Sequence, residues 1–195
     1  MRIIKRLHSV CRERKAEKMN VICFGDSNTY GYDPRSYLGG RYDTDSRWVD
    51  ILAEETGWTV RNLGENGREI PASAPVFSAD TDLLIVMLGT NDLLQGHSPE
   101  RVAERLAWFL NGVSMDRSKI LLIAPPPMTL GAWVPNQQLI ENSRTFIRLC
   151  QTLAERMGLR FADAGKWDIA LAYDGVHFTE QGHRAFATGL LEELK

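Results

Sequence analysis

Val21-Ile22-Cys23-Phe24-Gly25-Asp26-Ser27-Asn28-Thr29 is a short, β-branched apolar run that stops at a glycine and delivers a serine to a turn. A run of this length and composition reads as a strand. Further strands are expected at Trp58–Asn62, Leu83–Leu88, Ile120–Ala124 and Leu159–Ala162. The third and fourth of the five are apolar throughout, as in strands covered on both faces, and this favours a parallel sheet.

Amphipathic stretches alternate with these runs. Asp45 or Ser46 is expected to cap a helix that runs through Thr56 and stops at Gly57. Ser98 precedes Pro99 at the start of a second, with Val102, Leu106, Phe109 and Leu110 on one face. A long helix from about Asn136 to Met157 turns Leu139, Phe146, Cys150 and Leu153 inward and ends at Gly158. A last one, from Thr179 to Leu194, buries Phe186, Leu190 and Leu194. Strands and helices in alternation predict a three-layer α/β/α, flavodoxin-like, doubly wound sheet of about five parallel strands.

At 195 residues the chain is long enough for one enzyme-sized core that needs neither disulfide nor metal to stabilise it. Its formal net charge of -2 gives no electrostatic footprint for nucleic acid, so a small molecule is the expected partner. Positive charge concentrates in residues 1–18, where Arg2, Lys5, Arg6, Arg12, Arg14, Lys15 and Lys18 face only Glu13 and Glu17. That stretch reads as a basic N-terminal extension, and 19–195 as a single catalytic domain. Ile3, Ile4, Leu7, Val10 and Cys11 fall at helical spacing, which leaves open an amphipathic helix on a membrane or partner; a solvated tail is the favoured alternative. Lys5-Arg6 interrupts any signal-peptide core, and no stretch has the length of a membrane span. Cys11, Cys23 and Cys150 are odd in number and share no metal-ligand spacing, so a reducing, cytoplasmic setting is expected. Oligomeric state stays open.

In doubly wound sheets, sites form beyond the carboxyl ends of the strands. Ser27, Gly64 to Gly67, Asn91, residues 125–135 and Asp174 to His177 are all expected there. A serine hydroxyl needs a base to take its proton, and the base needs a third group to hold its tautomer. Of four histidines, His177 alone occupies a turn at the mouth of the sheet, with Asp174 three residues earlier across a glycine. The remaining need is for donors to a developing oxyanion: the Ser27 N–H, the Gly67 N–H and the Asn91 side-chain amide are the candidates. Asp26 and Asp92 are expected to bond within their turns, and Cys23 to be an inert buried thiol. Trp133, Met128 and Trp167 are candidate substrate-binding residues on the same rim, with partly buried packing as the alternative.

These blocks resemble the SGNH, or GDSL, hydrolase superfamily. Gly25-Asp26-Ser27-Asn28 is similar to its first block with Asn in place of the usual Leu; Asn62 through Gly67 is similar to its second, Gly89-Thr90-Asn91-Asp92 to its third and Asp174-Gly175-Val176-His177 to its fifth. The resemblance implies Ser27 as nucleophile, His177 as base, Asp174 as its partner, and Gly67, Asn91 and the Ser27 amide as the oxyanion hole. Tyr30-Gly31-Tyr32, Ser46-Arg47-Trp48 and Ala124-Pro125-Pro126-Pro127 are closest to the bacterial arylesterase, acyltransferase and carbohydrate acetylesterase branch. That branch usually carries a helix between the positions of Gly67 and Asp82, whereas Ile70-Pro71-Ala72-Ser73-Ala74-Pro75 leaves room for only a turn or two.

The expected function is a cofactor-free, metal-free serine esterase acting on small-acyl esters, acetyl first, with acyl transfer to alcohols open. A non-catalytic carbohydrate- or partner-binding module on the same fold is the alternative, and it gives no reason to keep all four of Ser27, Asn91, Asp174 and His177. A metal-dependent phosphoesterase built on Asp26, Asp92, Asp174 and His177 would need more histidine ligands and no waiting serine. Acyl and alcohol specificity lies beyond the sequence.

Overall fold

The structure, a computed structural model, describes residues 18–36 and 38–195, so all but the last residue of the basic extension of residues 1–18, with Cys11 and its helical apolar spacing, lies outside the described residues. Five strands, β1 (Asn20–Gly25), β2 (Thr59–Gly64), β3 (Leu83–Met87), β4 (Ile120–Ala124) and β5 (Arg160–Asp163), form one parallel sheet in the order β2-β1-β3-β4-β5. The helices are α1 (Ser27–Tyr30), α2 (Trp48–Thr56), α3 (Thr90–Leu94), α4 (Pro99–Asn111), α5 (Gln137–Met157) and α6 (Glu180–Glu193). This is the expected three-layer, flavodoxin-like arrangement.

Successive residues of a strand face opposite sides of the sheet, and here each side meets a helical layer. Ile22, Phe24, Leu84, Val86, Ile120 and Leu122 pack with the α4 and α5 side chains Leu106, Phe109, Phe146 and Cys150. Val21, Cys23, Leu83, Ile85, Leu121 and Ile123 pack with Trp48, Leu52, Phe186 and Leu190 from α2 and α6. Two covered faces explain why β3 and β4 are continuous apolar runs. Each such Leu, Ile or Val contributes about 1.5–3 kcal/mol on full burial. The edge strands β2 and β5 keep exposed positions, and their sequences are correspondingly mixed.

Helix ends follow local chemistry. Asn136 accepts from Leu139 N at 3.0 Å to cap α5, and Gly158 closes it in the left-handed region at φ +66°. Ser98 caps α4 by accepting from Arg101 N, and Thr179 caps α6 by accepting from Gly182 N. The start of α2 departs from expectation: its N-cap is Arg47, without a side-chain cap, rather than Asp45 or Ser46. Burial fixes that start instead, because Trp48 is enclosed and donates from Nε1 to Asn28 O at 2.9 Å while its ring lies 4.7 Å from Phe186. Residues 65–82 contain no helix, as the short Ile70–Pro75 stretch implied.

Among the described residues no helix is long and apolar enough to cross a membrane. A groove of about 630 Å³, lined in part by Ile51, Trp58, Leu191 and Leu194, lies between the ends of α2 and α6, at the edge of the sheet opposite Ser27.

Candidate active site

Register decides which loops meet. Gly25 at the end of β1 pairs with Gly64 of β2 on one side and Met87 of β3 on the other, so the chain after each strand leaves at the same edge. Gly64 is required there by close approach: a Cβ would stand 2.1 Å from Tyr30 N. Asp26 then caps α1, accepting from Asn28 N at 3.0 Å, and sets Ser27 at the first position of that short helix.

Ser27 Oγ lies 3.0 Å from His177 Nε2, and His177 Nδ1 lies 2.7 Å from Asp174 Oδ2. All three residues are buried. Asp174 Oδ1 also accepts the N–H groups of Val176 and His177, both at 2.9 Å. Burial alone would push the Asp174 carboxyl upward, but the bonds from the His177 ring and from the two N–H groups outweigh it and hold the pKa below the usual carboxylate value. The turn depends on Gly175, whose φ of +82° is left-handed and whose Cβ would collide with Thr129 O at 2.1 Å.

Gly67 also has a left-handed backbone, φ +71°, in the turn after β2. The space around its Cβ position is open, so conformation rather than crowding selects glycine. Asn91, at the start of α3, donates from Nδ2 to Arg68 O at 3.0 Å, which ties the α3 loop to the Gly67 loop. An amide NH2 carries two hydrogens, so one donor remains beyond that bond. Asp92 is enclosed, accepts from Ile70 N at 3.0 Å and pairs with Arg105 at 2.8 Å, a structural role as expected, but through bonds to other segments rather than within its own turn.

Of the three expected rim residues, only Trp133 meets the histidine. Its ring is 49% exposed and presents an edge contact to His177 at 4.9 Å. Met128 sits in the α4–α5 core, where its N–H donates to Ser143 Oγ at 3.1 Å, because the chain leaving β4 dips under α5 before it reaches the surface. Trp167 packs on the α6 layer, 5.0 Å from the Phe186 ring and over Gly189. Both therefore follow the packing alternative.

Two residues that sequence reasoning did not assign a site role stand beside Ser27, His177 and Asp174. Tyr32 lies 4.6 Å from the His177 ring, in the loop after α1, where no strand or helix period could reveal it. Asn28 is enclosed and bonds through its side chain to the backbone on both sides of His177. Its departure from the usual Leu was the available signal. His97 is exposed, whereas His183 is enclosed between Tyr42 and Phe178, and burial holds its pKa down to about 3. Burial raises the Cys23 thiol far out of reach of a nucleophile's range. Among the described residues no group of three or more His, Cys, Asp or Glu side chains is placed to hold a metal ion.

A model of the GDSL-like lipase/acylhydrolase family matches residues 23–185. The matched span reaches from β1 into α6, and the chain belongs to that family and is a carboxylic ester hydrolase. No curated protein matches it in a sequence search. Among solved structures, a putative arylesterase from Agrobacterium tumefaciens is 28% identical with a TM-score of 0.75, over 90% of this chain and 98% of that one. The native aryl esterase of M. smegmatis is 27% identical with a TM-score of 0.73, over the same shares. A carbohydrate acetylesterase family member from Sinorhizobium meliloti, 24% identical with a TM-score of 0.75 over 90% and 97%, shares the fold.

Proposed function

We propose that this chain is a serine esterase for small-acyl, principally acetyl, esters, working through Ser27, His177 and Asp174 by way of an acyl-enzyme. The carrying observation is the unbroken line from Ser27 Oγ to His177 Nε2 at 3.0 Å and from His177 Nδ1 to Asp174 Oδ2 at 2.7 Å. Ser27 Oγ attacks the ester carbonyl carbon while His177 takes its proton, and Asp174 holds the ring in the tautomer that leaves Nε2 free to accept. The tetrahedral oxyanion is received by the N–H of Ser27, the N–H of Gly67 and the free hydrogen of Asn91 Nδ2. His177 then protonates the departing alcohol. Water, or a second alcohol, attacks the acyl carbon with His177 again as base and restores Ser27.

Support for a small acyl group comes from the two aromatic rings that stand against His177, Tyr32 and Trp133, since bulky rings beside the base favour a small group at Ser27. The structural neighbours are named as arylesterases and as a carbohydrate acetylesterase, so aryl acetates and acetylated sugars are the leaving-group classes to compare. No cofactor enters the scheme. We further infer that residues 19–195 act as one catalytic domain, and that the free, enclosed Cys23 and Cys150 suit a cytoplasmic setting.

Hydrolysis of p-nitrophenyl acetate, butyrate and octanoate by wild type, Ser27→Ala and His177→Ala, each with and without a chelator, tests the reading. A burst of p-nitrophenol that disappears in Ser27→Ala and ignores the chelator is expected. Full activity in Ser27→Ala would overturn the acyl-enzyme, and loss with chelator would point to a metal.

A further inference from the structure

The residue after the nucleophile links the two halves of the site. Asn28 is 3% exposed and its side chain turns toward the His177 loop. Nδ2 donates to Val176 O at 3.2 Å, and Oδ1 accepts the N–H of Phe178 at 2.9 Å. The two bonds bracket His177 in the chain, one immediately before it and one immediately after. Asn28 is itself held on both backbone sides, because its N–H donates to Asp26 and its carbonyl accepts the Trp48 indole N–H at 2.9 Å. Ser27 and His177 lie 150 positions apart, yet one side chain fastens the neighbours of both.

We propose that Asn28 is a positioning residue that sets the Ser27–His177 distance for proton transfer; the proposal rests on the acyl-enzyme reading above. Asp174 orients the imidazole from the Nδ1 side and takes the N–H groups of Val176 and His177, but it belongs to the same turn and moves with it. Only a contact from outside that turn relates it to the serine, and Asn28 supplies two such bonds. A leucine at this position has similar size but no polar atoms, so it would leave Val176 O and the Phe178 N–H enclosed without these partners. The turn would keep its backbone bonds to Thr129, Ala132 and Trp133 but lose the two that tie it to the segment carrying Ser27, and a displacement of about 1 Å in a reacting pair is enough for roughly 100-fold in rate.

The test compares wild type, Asn28→Asp, Asn28→Leu and Ser27→Ala. Each is assayed with p-nitrophenyl acetate well below its own Tm, and the proton on His177 Nδ1 is followed by NMR. Asn28→Leu is expected to lower kcat by about 10- to 100-fold with KM within about twofold of wild type, and to broaden or abolish the His177 Nδ1 proton signal. Asn28→Asp keeps the acceptor for Phe178 N–H but loses the donor to Val176 O, so it recovers part of that kcat, and it serves as the reporter should Asn28→Leu fail to fold. A fall in Tm with kcat and the His177 signal unchanged in both variants would overturn the proposal and leave Asn28 a packing residue. Wild-type activity in Ser27→Ala would instead overturn the acyl-enzyme reading, and the His177 signal would still decide whether Asn28 holds the ring.

Discussion

Asp174 engages the His177 residue twice, through Oδ2 at 2.7 Å from the ring Nδ1 and through Oδ1 at 2.9 Å from the backbone N. One carboxylate therefore fixes both the turn of the backbone and the tautomer of the ring. Asp174→Asn preserves the shape but can place an NH2 group against Nδ1, which favours the tautomer that cannot accept from Ser27. With p-nitrophenyl acetate, kcat is expected to fall roughly 10³- to 10⁴-fold, the scale seen when such an orienting carboxylate is removed elsewhere. Retention of kcat within tenfold would take Asp174 out of the proposed mechanism. Its folded-state pKa lies below the ordinary value of 3.8, so its contribution to stability is present above that value and disappears as pH falls below it.

Asp26 has the opposite sign. Burial raises its pKa to about 6, against smaller lowering effects from the Asn28 N–H, His177 and Arg68. A group whose folded value exceeds its unfolded value contributes stability below the unfolded value, and that contribution is lost as pH rises through the folded one. The window for Asp26 is thus from 3.8 to about 6. A shift of this size corresponds to at most about 3 kcal/mol. Asp26→Asn keeps an acceptor for the Asn28 N–H and removes the charge, so urea unfolding should show it gaining on wild type between pH 4 and 7. A difference between the two proteins that does not change with pH would show that the buried charge has no such cost.

Much of the frame was legible in the sequence because it rests on local patterns. β4 occupies the expected Ile120–Ala124, the other strands shift by one or two residues at their ends, and α5 begins after Asn136 and stops before Gly158. The expected meeting of Ser27, Asp174 and His177 was legible for a similar reason, since Ser27 follows β1 and Asp174 and His177 share one turn across Gly175, and the structure brings the three side chains within hydrogen-bond distance. What sequence did not reveal depends on tertiary contact. Nothing local marks Trp48 as the anchor of α2 in place of a capping side chain, or turns Tyr32 toward the His177 ring. Met128 and Trp167 looked like rim residues because they lie in loops beyond strand ends; each instead folds back onto a helical layer. The helices α1 and α3 span four and five residues, too few for an apolar period to register.

Arg105 of α4 holds the loop that leads from Gly67 into the core. It pairs with Asp92 at 2.8 Å and Glu69 at 3.0 Å and donates to Ile70 O at 2.9 Å, while Asp92 accepts from Ile70 N. The Asp92 side chain has no exposure, so Arg105→Met leaves a carboxylate enclosed without its ion-pair partner. A loss of about 3 kcal/mol in urea unfolding is expected, at the low end for a buried pair because Arg105 is partly exposed. Asp92→Asn combined with Arg105→Met should recover much of it, since no unpaired charge then remains. Equal losses in the single and double variants would mean that the packing of Arg105, and not its charge, anchors the loop.

Trp133 offers a way to alter the surroundings of His177 while keeping the backbone bonds that hold the Asp174–His177 turn. Its loop is fastened by backbone bonds from Trp133 N to Asp174 O at 3.0 Å, from Ala132 N to Tyr173 O at 3.1 Å and from Thr129 N to Gly175 O at 3.1 Å. Trp133→Ala keeps all three, and at a half-exposed position the effect on stability should stay within about ±0.5 kcal/mol. The ring's edge contact with His177 disappears, and the space it filled opens toward longer acyl chains and toward water. The ratio of kcat/KM for p-nitrophenyl butyrate over acetate is therefore expected to rise by about 10-fold, the scale of one or two methylenes gaining room in an apolar site. When an alcohol competes with water for the acyl group, the variant should also yield more hydrolysis and less ester. An unchanged chain-length profile would place the acyl group on the Tyr32 side of the histidine instead, with Tyr32→Ala then producing the shift.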